Sequence, residues 1–215
     1  LADLSISEVS ICNMALSLVG ASSSIESLTE DSAEANECNI WYTFSRRLAL
    51  AANDWSFARR RQTLATHGDV PPDGVWGYRY QYPSDCVRMR KIQHPVSGVG
   101  VWSPETRDLV AAADAIPFSI ELDDDQDTKS ILTNLDNAIG VYTMDLTTVT
   151  LFSEFFVVMF AEALAAKVAW PLTKKTKLVD LRNASFARLA VAAAASDGNE
   201  QVAPPPKDAD WHRGR

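Results

Sequence analysis

The sequence predicts an α+β fold, an antiparallel helical bundle with an inserted mostly β domain and an extended C-terminal arm, on three observations. Apolar residues recur at helical spacing over about 7–19 and 32–53. The period then shortens to strand-like alternation over about 55–146. Helical spacing returns over about 151–195 and ends before three consecutive prolines. Helical and strand periods mark which faces are buried, so a change of period marks a change of architecture. The expected divisions are 1–54 and 149–199 for the helices, 55–148 for the β domain and 200–215 for the arm.

Each element has its own signals. Ser7 can cap the first helix, Glu8 suits its positive end, and Gly20 can take the left-handed exit conformation. Val9, Cys12, Leu16 and Val19 form its apolar stripe, and Ile25 and Leu28 should pin the following Ser-rich connector to the core. In the second helix the expected inner stripe is Ile40, Trp41, Phe44, Leu48 and Ala51. Arg46 and Arg47 fall late in that helix, where its dipole favours cations. Beyond Asn53, the alternation of Trp55, Phe57 and Arg59 reads as a strand. The run Val70-Pro71-Pro72-Asp73-Gly74 is a turn-rich loop. Trp76, Tyr78, Tyr80 and Tyr82 share one strand face, ended by Pro83, and Val87, Met89 and Lys91 alternate in the next strand. Three short strands follow, over about 118–122, 130–133 and 140–146. A helix over about 151–169 is expected to stop at Trp170-Pro171, because the residue before proline avoids helical angles. Thr173 is a cap candidate for the final helix, whose face should carry Leu178, Leu181, Ser185, Leu189 and Ala192. The run Ser196-Asp197-Gly198-Asn199 should stop it.

Composition narrows the function classes. The 215 residues are 47% hydrophobic and 22% charged, an ordinary globular balance. A formal net charge of −8 argues against wrapping nucleic acid by counterion release. Three unevenly spaced cysteines (Cys12, Cys38, Cys86) suit a reducing compartment better than a disulfide framework. The start of the chain does not read as a secretory signal. The apolar stretch at 151–170 carries Glu154, Glu162 and Lys167 and reads as a buried helix, not a membrane span.

Charge is segregated along the chain. Residues 1–45 contain no Lys or Arg but seven acids, and Lys167, Lys174, Lys175, Lys177, Arg182 and Arg188 make the C-terminal helical region basic. Repeated subunits can dock through such opposite faces, with Arg46, Arg47, Lys174, Lys175 and Lys177 as interface candidates. Pairing within the chain accounts for the same pattern equally well. The run Arg59-Arg60-Arg61 beside Trp55 and Phe57 reads either as a nucleic-acid patch or as a strand meeting an acidic surface. The acidic total favours the second.

No catalytic site, metal site or cofactor is expected. Asp123, Asp125 and Asp127 have the spacing of a calcium loop, but Thr128 replaces its glycine and Asn134 its bidentate glutamate. His67, His94 and His212 are scattered, and none pairs with a cysteine at metal-ligand spacing. P-loop, dinucleotide and nucleophile-elbow motifs are missing from the sequence. Asn183-Ala184-Ser185 matches a glycosylation acceptor but sits in a predicted helix.

The order of several motifs resembles the head-to-tail adaptor (tubular tail protein A) family of short-tailed bacteriophages. Those motifs are Asn13, Leu16, Val19 and Gly20 followed by Ile25-Glu26-Ser27-Leu28; Asn53-Asp54-Trp55-Ser56-Phe57-Ala58 at the helix exit; and Tyr80-Gln81-Tyr82-Pro83-Ser84-Asp85-Cys86-Val87-Arg88. The helix pair from Ala161 onward and the end Asp210-Trp211-His212-Arg213-Gly214-Arg215 complete the likeness. The resemblance implies a non-enzymatic virion protein made in the host cytoplasm, assembled as a twelvefold ring. Such a ring sits between portal protein and tail nozzle or tube, and DNA passes through it without sequence readout. Pro204, Pro205, Pro206, Trp211, Arg213 and Arg215 would then form an arm on the portal. The loops with Pro71, Pro72, Asp73 and Asp123, Asp124, Asp125 would face the tail. Two other readings stay open: a neck or head-completion protein of another tailed-phage type, and a bacterial protein-binding module without catalysis.

Overall fold

The computed structural model describes residues 6–67, 74–95, 101–102, 109–110, 116–122 and 128–199. The fold is α+β, with four helices and two three-stranded antiparallel sheets among the described residues. The helices are α1 (Glu8–Val19), α2 (Ala33–Ala52), α3 (Glu154–Thr173) and α4 (Thr176–Asn199).

The helix starts follow the capping rules. Ser7 and Ser10 form a reciprocal capping box on α1, and Gly20 closes it at φ 71°. The Ser32 side chain accepts from the Ala35 amide and the Ser153 side chain from the Phe156 amide, so each of α2 and α3 begins at a serine. The connector after α1 is held by Asn13, whose amide accepts from the Ile25 N–H at 2.8 Å and donates to the Ile25 carbonyl at 2.9 Å. Ile25 is thereby seated in the core, as expected, with Leu28 packed beside it. Asn13→Ala is expected to cost about 1–2 kcal/mol, because both Ile25 backbone groups lose their partner; urea denaturation checks it.

α3 is the central helix, packed against α1, α2 and α4. Twelve of its residues are buried, on nearly every side. By length and composition it could cross a membrane, but here the other helices cover most of it. The expected stop at Trp170 does not occur. Pro171 lies in the last turn, and the helix continues to Thr173, where Lys174 exits at φ 56°. Proline there removes one intrahelical donor, and burial of the preceding turns outweighs that loss. Thr173 is therefore the end of α3, where its hydroxyl donates back to the Ala169 carbonyl, not a cap for α4. α4 likewise runs through the expected stop at 196–199. Its inward face carries Leu178, Val179, Phe186, Leu189, Ala190 and Ala193, while Leu181 and Ala192 are exposed.

Trp55 and Phe57 do not start a strand. A short 3-10 turn (Ser56–Ala58) drops both rings into the helical core before β1 (Arg59–Thr63) begins. β2 (Tyr78–Gln81), β3 (Cys86–Gln93), β4 (Val101–Trp102), β5 (Leu109–Val110), β6 (Phe118–Leu122), β7 (Lys129–Thr133) and β8 (Ile139–Met144) follow. One sheet has the order β1-β8-β3, the other β2-β7-β6, and β4 pairs with β5. The tyrosine strand is shorter than expected: Tyr80 is buried, but Tyr78 is exposed, and Trp76 and Tyr82 lie outside β2. In β3 two register shifts break the simple alternation, so Cys86, Met89 and Ile92 point inward. Gly140 is needed where it stands, since a Cβ there would lie 2.7 Å from Leu64 Cδ2.

The β strands enclose their own core of Leu64, Tyr80, Met89, Ile92, Ile131 and Tyr142. Two arginines of β3 tie it to the helices. Arg88 donates to the Ala51 carbonyl, and Arg90 donates to the carbonyls of Leu50, Ala51 and Asn53. These are the orphan carbonyls at the negative end of α2, so charged donors from the sheet cap the helix.

Candidate functional site

The predicted interface residues fall into two groups. Arg46 is buried and faces inward, its Nη2 2.9 Å from Asp145 Oδ1. Arg47 reaches the other oxygen of the same carboxylate at 2.8 Å. Asp145 follows β8, so this pair of bonds joins the helices to the sheet, and much of the charge of both arginines is satisfied within the chain. Lys174, Lys175 and Lys177 are different. They are exposed at the corner between α3 and α4, and no described carboxylate pairs with them. Lys174 Nζ lies over the exposed Trp170 ring, 6.0 Å from its centre. With Leu178 and Leu181 these lysines line a shallow hollow of about 500 Å³.

The face of α2 is where sequence reasoning went astray. Its buried side carries Ala35, Cys38, Tyr42, Ser45, Arg46, Ala49 and Leu50. Ile40, Phe44 and Leu48, expected inside, are exposed at 56%, 50% and 37%. Four of these seven are small, which lets the helix axis approach α3, while Tyr42 packs on Phe160 of α3. The larger side chains are left on the outside as a stripe at i, i+4, i+8 spacing. Trp41 packs edge-on against Phe44, and Lys167 of α3 sits 5.3 Å from the Phe44 ring centre. Phe155 and Val158 of α3 and Leu181 and Val191 of α4 are also exposed. Between α1 and α3, Met14, Leu18 and Val158 line a second apolar groove of about 600 Å³.

In the β region a polar cleft of about 500 Å³ lies beside Asp85. Asp85 Oδ2 lies 2.6 Å from Arg60 Nη1, and its Oδ1 accepts from the Tyr142 hydroxyl at 2.9 Å. Burial, then the bond to Asp85, pushes the Tyr142 phenol up to about 12. Arg59 pairs with Asp54 at 3.0 Å. Two members of the Arg59-Arg60-Arg61 run thus face acids of their own chain. Asp54 and Asp85 belong to the motifs Asn53-Asp54-Trp55 and Pro83-Ser84-Asp85, but nothing in their spacing announced these partners. Asp85 has its charge and lone pairs engaged by a cation and a phenol, which is the setting of a structural carboxylate, not of a free base.

Cys12 and Cys38 are buried free thiols in the helical core, Cys86 in the β core. The hydrogen bond with Cys38, and then burial, raises the Cys12 thiol well above its ordinary range. Among the described residues no group of three or more His, Cys, Asp or Glu side chains could hold a metal ion. Pro71, Pro72, Asp73, Asp123, Asp124, Asp125, Pro204, Pro205, Pro206, Trp211, Arg213 and Arg215 lie outside the described residues. No protein-family model matches the sequence, and no curated protein matches it significantly.

Proposed function

We propose that this chain is a structural subunit without catalysis, a head-to-tail adaptor of a short-tailed bacteriophage that assembles with copies of itself into a ring. The single observation that supports this most is the set of apolar side chains turned outward on α2, α3 and α4. A subunit inside a ring touches two neighbours through two different faces, and each must offer apolar surface. The motif residues behind the resemblance also do organising work here: Asn13 seats the first connector, Trp55 turns the chain out of α2, and the Pro83 to Asp85 corner sets β3.

In this reading the helices form an antiparallel bundle that makes the ring wall, twelvefold by the resemblance. The β region, with the loops at Pro71, Pro72, Asp73 and Asp123, Asp124, Asp125, faces the tail nozzle or tube. Residues 200–215, with Pro204, Pro205, Pro206, Trp211, Arg213 and Arg215, form the arm on the portal. DNA passes through the ring without sequence-specific contact. The protein belongs to the virion, at the head–tail junction.

Removing residues 204–215 is expected to leave the melting curve of the subunit unchanged and to abolish attachment to portal-bearing heads, measured by co-sedimentation. Unchanged attachment would rule out the arm. Electron microscopy of the assembled chain counts the subunits, and a preparation that stays monomeric with and without such heads would rule out the ring.

A further inference from the structure

Resting on the reading that the chain assembles with copies of itself, we propose that the lysine corner between α3 and α4 of one copy docks on the acidic start of α2 in the next. The helix directions place the two patches at one level. Trp55 meets Phe156, Tyr42 meets Phe160, and Lys167 lies over Phe44. Trp55 lies just past the end of α2 and Phe156 near the start of α3, while Tyr42 and Phe44 in mid-helix face positions further along α3, so the two helices are antiparallel. The start of α2 and the end of α3 therefore share one end of the helical unit.

At that end the α2 side offers Asp31, Glu34 and Glu37, continued along the helix by exposed Ile40 and Phe44. The corner offers Lys174, Lys175 and Lys177, continued by exposed Trp170 and Leu181. Among the described residues no ion pair joins one group to the other. Each patch thus combines an apolar step with three charges of one sign, and the signs are opposite. Such a pair is complementary between two copies and repulsive in any like-to-like contact. Their common level adds a geometric consequence. Two patches at equal height are brought together by a rotation without a rise along the helices, which closes a ring where a rise would give a filament.

The test uses two variants, Asp31→Lys/Glu34→Lys/Glu37→Lys and Lys174→Glu/Lys175→Glu/Lys177→Glu, followed by sedimentation velocity at low salt. Asp31 and the three lysines are exposed and Glu34 and Glu37 half-buried, with none of the six in the core, so helical circular dichroism should stay at the parent level. Each variant alone is expected to need a concentration about tenfold or more above the parent to assemble. An equimolar mixture should assemble again, because each lysine-rich copy then alternates with an acid-rich one. Variants that assemble alone as the parent does would overturn this contact while leaving the ring intact. So would loss of duplex-DNA retention, without loss of assembly, in the lysine-reversed variant. A parent that never exceeds a monomer would instead remove the assembly reading itself.

Discussion

Asp145→Ala is expected to destabilise the fold by about 3 kcal/mol, at the lower end for breaking a buried ion pair. Arg46 is the reason. Its side chain is only 8% exposed and its Nη2 is held by Asp145 Oδ1. Without the carboxylate the guanidinium stays in the helix–sheet seam with no compensating charge. Arg47 loses the same partner, but it is about half exposed, and water replaces most of what it loses. The double change Arg46→Met/Asp145→Ala should recover a large part of the loss, since no buried charge then remains. Urea denaturation of the single and double variants gives the coupling. A single-variant loss under about 1 kcal/mol would show that the seam does not depend on this pair.

Trp55→Ala is expected to cost about 3–5 kcal/mol. The indole is 1% exposed, meets Phe156 edge-on at 5.2 Å and Phe57 at 5.5 Å, and donates from Nε1 to the Ala49 carbonyl at 3.0 Å. Alanine leaves a cavity where the end of α2, the 3-10 turn and the start of α3 converge. For a chain of this size the melting temperature should fall by roughly 10 °C. Trp55→Phe should lose less, keeping much of the ring packing and giving up the hydrogen bond to Ala49. If alanine and phenylalanine cost the same, the packing account is wrong.

Much of the architecture could be read from residue order. Ser7, Gly20 and Ser32 act locally, within a turn of the groups they cap, so the limits of α1 and the start of α2 were legible. β6 was legible for the same reason, being bounded by turn residues. What failed was whatever depends on a distant partner. The inner face of α2 is small at four of its seven buried positions and carries a charge because α3 and Asp145 stand opposite, about a hundred positions away. Pro171 does not stop α3 because burial of the earlier turns decides its length. The bulges of β3 answer to β8, not to neighbours in sequence. Of the interface candidates, the three lysines are exposed, whereas Arg46 is engaged inside the chain.

The central place of α3 has a consequence for how the chain is made. α1 and α2 meet each other at few points, Cys12 beside Cys38 among them, and bury most of their inner faces on α3, whose first residue is Glu154. On the ribosome, α2 is complete at Ala52, and about a hundred residues of sheet and loop emerge before its partner does. At ordinary rates of translation that interval lasts roughly 5 to 20 seconds. Throughout it, Leu16, Tyr42 and Leu50 stand uncovered, so the newborn N-terminal half is a client for chaperones and a poor fragment to express alone.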